Sequence, residues 1–235
     1  MRYNTMRIAA AACLVAWPAT MGLAAGEIGS KRATREVSAD TDPNSAFWRG
    51  VPATLAEHDS SGNPVPGHRT EIRSRWTPEN LYFLFICPYE QLNLKPEPKI
   101  DTETNELWKW DVAEVFIGSD FRNIRRYKEF EISPQGEWID LDIDLDSPRH
   151  EDGWVWNSGF QAAARIDAAA RIWYGFMRIP YAAVDTRPAS SRNTLRVNFF
   201  RSQGARPQRK AIVWQPTHRP TFHVPEAFGS LRLVD

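Results

Sequence analysis

The chain has 235 residues, in which 29 basic side chains balance 29 acidic ones and 42% of positions are apolar. With no basic run longer than Arg125-Arg126, it lacks the positive face that a nucleic-acid backbone requires. Its two cysteines, Cys13 and Cys87, exclude a disulfide framework.

The amino terminus reads as an export signal. Met1 to Arg7 holds Arg2 and Arg7 and no acid, Ile8 to Ala25 is free of charge, and Ala24-Ala25-Gly26 supplies small residues for cleavage. A spanning helix would be more strongly apolar than this Ala-rich run with Pro18 in it. The expectation is therefore a secreted or periplasmic protein with no membrane span after cleavage of residues 1–25. The mature chain then keeps 29 − 2 = 27 basic against 29 acidic residues, and Cys87 alone. A domain of that size can bury a sufficient core without staples.

Residues 26–44 read as a leader, and within them Lys31 to Asn44 is polar and aperiodic, suiting a linker or an ordered leader strand. Residues 45–235 read as one domain. Asp59 to Gly67 is a loop of Ser, Gly, Asn and Pro. Thr70 to Trp76 alternates as a strand, and Asn80 to Ile86 is an apolar run suited to a central strand. Leu92 to Glu106, with Pro96 and Pro98, is a loop. Short strands rich in β-branched and aromatic residues follow at Val112–Ile117, Tyr127–Ser133, Trp138–Asp142, Phe160–Ile166, Ile172–Ile179, Leu195–Ser202 and Ala211–Trp214. The only helical period after the signal is a turn at Tyr181 to Val184. This pattern predicts an all-β protein, an antiparallel β-sandwich or barrel.

Trp108-Lys-Trp110-Asp111-Val-Ala-Glu114-Val-Phe-Ile117 is the most informative stretch. An extended backbone from Trp108 would place residues 108, 110, 112, 114 and 116 on one face. Two indoles beside a carboxylate suit a sugar, whose C–H faces lie on rings while its hydroxyls donate to the acid. The same residues also suit loop packing and a structural ion pair.

Trp108-x-x-Asp111-x-x-Glu114-Val-Phe-Ile, preceded by Asn80-Leu81-Tyr82-Phe83, resembles family 9 carbohydrate-binding modules. So does the close of the chain, Trp214-x-Pro216-Thr217 and Phe222-His223-x-Pro225-Glu226-x-Phe228-Gly229-x-Leu231. The resemblance runs from about Asp40 to the carboxyl terminus. It implies a jelly-roll-like β-sandwich that binds the ends of glycan chains between two aromatic rings, with Trp108 as the first ring and Glu114 as a hydroxyl-binding acid. Phe222 falls where the family has a second tryptophan, Glu131 where it has an arginine, and Arg219 where it has an asparagine. Trp110 and Asn198 complete the candidate set, with Arg201 as an alternative to Asn198, since strand alternation sends the two to opposite faces. The implied partners are a glycan or oligosaccharide and separate glycoside hydrolases, with no catalytic domain in this chain.

Asp140, Asp142, Asp144 and Asp146 share one strand face, where calcium is conceivable as a cofactor. Residues two apart on a strand lie about 6–7 Å apart, too far for all four to meet one ion, so an exposed acidic face is expected. The five histidines show no zinc spacing, and neither a nucleophile elbow nor a phosphate loop is present. Two alternatives to a non-catalytic carbohydrate binder stay open. One is a small glycoside hydrolase; the other is an electron-transfer sandwich holding haem b through Met177 and a histidine.

Overall fold

The structure, a computed structural model, describes residues 26–235, so the expected signal lies outside the described residues. The elements in chain order are β1 (Glu27–Arg32), β2 (Thr54–Ala56), β3 (Thr70–Trp76), β4 (Asn80–Pro88), β5 (Val112–Gly118), β6 (Arg126–Ile132) and β7 (Trp138–Asp144). They continue with β8 (Gln161–Asp167), β9 (Ile172–Pro180), the single helical turn α1 (Tyr181–Val184), β10 (Thr194–Gln203), β11 (Lys210–Val213) and β12 (Gly229–Val234). All twelve strands belong to one sheet, ordered β7-β6-β5-β10-β12-β1-β3-β4-β9-β8, with β11 beside β10 and β2 beside β3. No helix among the described residues is long and apolar enough to cross a membrane.

The sheet doubles over on itself and nearly closes. Its ends meet where Phe160, just before β8, packs edge-on against Phe130 of β6 at 5.2 Å and Trp138 of β7 at 5.9 Å. Between the two halves lies the main core. It takes Ala113, Val115 and Ile117 from β5, Leu195, Val197 and Phe199 from β10, and Leu81, Phe83, Phe85 and Cys87 from β4. Met177, the methionine named for haem in the electron-transfer alternative, is fully buried there. Each large side chain so buried contributes about 1.5–3 kcal/mol.

Each outer face carries a smaller apolar cluster. Tyr82 and Leu84 of β4 and Phe176 of β9 are covered by Ala33, Phe47, Trp48 and Val51. That cover explains why β4 is apolar from Leu81 to Cys87 rather than alternating. On the other half, Val112 and Phe116 of β5, Ile139, Leu141 and Ile143 of β7, and Phe200 of β10 form the second cluster. The candidate site lies over this one.

Of the two readings of residues 31–44, the ordered strand holds for the first two. They belong to β1, which pairs parallel with β12 on one side and β3 on the other. Its sequence, Glu-Ile-Gly-Ser-Lys-Arg, shows no alternation because the strand is held by its backbone ladder and by a bond from Ser74 Oγ to Ser30 Oγ at 2.8 Å. The Trp214 and Gly229 elements of the closing motif turn out to touch. A Cβ at Gly229 would lie 2.6 Å from the Trp214 ring and 2.3 Å from the Gly26 carbonyl, so the position accepts only glycine.

Candidate functional site

A cavity of about 900 Å³ opens over the second cluster. Trp108 and Glu114, from one stretch, line it together with Phe222, which is distant from both in sequence. Glu114 arrives there as expected, because β5 alternates: Ala113, Val115 and Ile117 enter the main core while Glu114 and Phe116 face the cavity. Trp108 arrives by another route. The extended backbone expected from Trp108 begins only at Val112, and residues Leu107–Lys109 form a 3-10 turn instead.

Glu106 enters that turn in the left-handed region, at φ 61°, and the fully buried Leu107 anchors it. Arg209 then ties the turn down. Its guanidinium donates to the carbonyls of Trp108 at 2.5 Å, Lys109 at 2.7 Å and Trp110 at 2.6 Å. The turn separates the two indoles: Trp108 lines the cavity and Trp110 does not. Phe222 lines the cavity stacked on Phe200, centroids 4.4 Å apart and planes 14° from parallel.

Asn198 and Arg219 do not line the cavity. Asn198 is fully buried, donating to the Gln215 carbonyl at 2.9 Å and accepting from the Gln215 amide at 3.0 Å. It pins the closing segment from below. Arg219 is exposed on the loop before Phe222. Arg201 points into the main core, donating to Thr70 Oγ1 at 3.0 Å and the Pro88 carbonyl at 2.6 Å.

The acidic run at Asp140–Asp146 is not a bare acidic face. Asp142, Asp144 and Asp146 pair with Lys128 at 2.6 Å, Arg126 at 2.8 Å and Arg125 at 2.6 Å. Asp140 is buried and accepts from the Ser158 amide at 3.0 Å. The basic residues on β6 and just before it, opposite β7, supply partners that spacing within one strand could not reveal.

The strongest electrostatic feature was not legible as a site. Glu114 sits directly across from Glu131 in the β5–β6 ladder, and Glu129 lies two residues along on the same face. Oxygen atoms of the three carboxylates lie within 4.8 Å of one another, and none of the three side chains is more than 4% exposed. Glu114 Oε1, Glu129 Oε2 and both oxygens of Glu131 are buried without a hydrogen-bond partner. Like charges directly opposite in a ladder destabilise it. Burial, with the Glu129 charge added, raises the Glu114 carboxyl well above its ordinary range. Burial and then the Glu114 and Glu129 charges do the same to Glu131, and burial lifts Glu129 to about 7. On the cavity's far side, burial and the neighbouring His150 push His223 down to about 4, so it stays neutral beside Tyr127, whose hydroxyl is 2.7 Å from its Nδ1.

These shifts set the sign of the pH dependence. The folded protein holds protons on the cluster that the unfolded chain releases near a pKa of about 4.3. Stability from this source is thus fully present below that value and is lost as pH rises through the folded pKa, about 7 for Glu129. With divalent cations removed, Glu131→Gln should melt higher than wild type at about pH 8, by about 2–4 °C for each kcal/mol regained. Near about pH 5 the difference should shrink. Equal melting temperatures at the higher pH would contradict this.

No family model matches the chain. A protein described as an extracellular protein in the fungus Arthroderma benhamiae is 26% identical over 184 residues, covering 72% of this chain and 80% of that one. The human UPF0462 protein C4orf33 is 25% identical over 182 residues, covering 74% of this chain and 84% of its own length. Among solved structures, a candidate carbohydrate-binding protein from Bacteroides uniformis superposes with a TM-score of 0.67 at 15% identity, covering 88% of this chain and 99% of that one. A family 9 carbohydrate-binding module from Caldicellulosiruptor kristjanssonii, solved with cellotriose, gives 0.62 at 12% identity, covering 88% and 93%. The glucose complex of a family 9 module from the same organism gives 0.62 at 12% identity, covering 88% and 95%. The fold is therefore like that of family 9 carbohydrate-binding modules.

Proposed function

We propose that the protein is an exported, non-catalytic carbohydrate binder of the jelly-roll sandwich type that assists polysaccharide breakdown beside separate hydrolases. The observation that carries this reading is the meeting of Trp108, Phe222 and Glu114 at one cavity on a fold shared with family 9 modules. Trp108 takes one face of a sugar ring, Phe222 takes the other, and Glu114 meets hydroxyls. Export is supported by the amino-terminal pattern of residues 1–25 and by the name of the fungal relative.

Binding without turnover is supported by the placement of the carboxylates. Glycosidases set two carboxyls on opposite sides of the scissile bond, about 5–9 Å apart. Here Glu114, Glu129 and Glu131 share one face of two neighbouring strands, so no two of these three flank a bound sugar, and Glu151 enters the cavity from the separate His150–Val155 turn.

The test is a glycan array probed with the mature chain and with Trp108→Ala. Glucose and cellotriose, the ligands of the two family 9 complexes, are the first compounds to compare in solution. A restricted set of glycans retained by wild type and lost by the variant is expected. No retained glycan, or the same set with both proteins, would overturn the reading.

A further inference from the structure

Of the three carboxylates under the cavity, Glu114 alone has a role in the reading above, and Glu129 and Glu131 have none. We propose that Glu114, Glu129 and Glu131 hold one divalent cation of the hard, oxygen-seeking kind, calcium before magnesium or manganese.

Geometry carries the first part of the argument. A calcium ion bonds oxygen at about 2.3–2.6 Å, so ligand atoms on opposite sides of it stand about 5 Å apart. The oxygens here lie within 4.8 Å of one another, a span that one ion between them can bridge. Register fixes this spacing: Glu114 faces Glu131 across the ladder, and Glu129 follows on the same side. The strands are central and buried, so the three side chains reach one point without ordering a loop.

The second part is independent of the clustering. Glu131 is fully buried and neither of its oxygens accepts a hydrogen bond from any group of the protein. A buried carboxylate of that kind costs several kcal/mol unless something compensates it. The nearest cation is Arg209, but its donated hydrogen bonds go to the carbonyls of residues 108, 109 and 110 and not to the acids. Protons held by the cluster neutralise it, and a cation that displaces them does so while giving the unpaired oxygens a partner.

Chemistry narrows the ion. The donors are all carboxylate oxygens, with no sulfur or imidazole within the cluster, which disfavours zinc and copper. Glu114 and Glu129 also line the cavity, so an ion can enter and keep positions open to water. Such a site tolerates the irregular, water-completed shell of calcium better than the strict octahedron of magnesium.

The experiment is a calorimetric titration of calcium, and separately of magnesium and manganese, into the chelator-treated mature chain, with melting temperature as a second readout. One site that raises the melting temperature is expected, with calcium the tightest. Glu131→Gln and Glu129→Gln should each weaken it by about tenfold or more, since each removes a charged ligand. Asp142→Asn, at a surface ion pair on β7, should leave it unchanged. Absence of binding and of any thermal shift with all three ions overturns the proposal. So does binding that survives both glutamine variants, which would place the ion elsewhere. No glycan enters either measurement, so the outcome stands apart from that of the carbohydrate reading.

Discussion

Trp108→Ala should weaken glycan binding by about fifty- to a hundredfold while the protein keeps its fold. Stacking that removes about 100 Å² of apolar surface from water is worth roughly 2.5 kcal/mol at about 25 cal/mol per Å². Each 1.4 kcal/mol or so is a factor of about ten in affinity. The indole is only partly buried in the free protein, and its turn is held by the buried Leu107 and by Arg209 through backbone carbonyls, none of which needs the ring. Affinity and melting temperature should be measured on the same variant. Retained affinity with lost stability would make Trp108 a packing residue.

The largest loss of stability should follow Asp111→Ala. Asp111 is fully buried and accepts from the Asn93 amide at 3.0 Å, the Gln203 side chain at 2.6 Å and the Gly204 amide at 2.6 Å. Gln203 in turn meets the buried Arg201, whose guanidinium stands over Trp173. Removing the carboxylate strands three donors and takes a negative charge from the network that reaches Arg201 through Gln203. Each unsatisfied buried donor costs about 1–3 kcal/mol. With three stranded, we expect a loss of about 3–5 kcal/mol in urea unfolding. A change under about 1 kcal/mol would show that water replaces the carboxylate at no cost. The loops that Asp111 joins carry Asn93 and Arg206 into the cavity wall, so sugar affinity should fall as well.

How much of this was legible follows from what each signal depends on. Alternation within β5 depends only on local backbone period, and it placed Glu114 on the cavity side and Val115 in the core. The apolar run of β4 marked a central strand because both its faces are buried, one in the main core and one under Phe47 and Trp48. The Trp108 turn was not legible, because it depends on a left-handed Glu106 and on Arg209, 100 residues away from Lys109. A lone arginine in a polar loop gives no periodic signal. The carboxylate cluster was half legible. Glu114 and Glu131 were each singled out by resemblance, but their meeting depends on the β5–β6 register, and Glu129 carried no cue of its own. Parity allowed at most one of Asn198 and Arg201 at the site, and neither lines it: the Asn198 amide is consumed by the Gln215 backbone and Arg201 enters the main core.

The central claim is that a sugar sits between Trp108 and Phe222. The most direct measurement is a nuclear magnetic resonance titration of the isotope-labelled mature chain with the tightest glycan from the array. The indole N–H signal of Trp108 would be assigned by its loss in Trp108→Phe. The account predicts shifts concentrated at that indole, the 107–110 turn, Glu114 and residues 220–223. Shifts centred instead on the groove beside Lys128 and Trp156, or on the cover formed by Phe47 and Trp48, with the Trp108 indole unmoved, would contradict it.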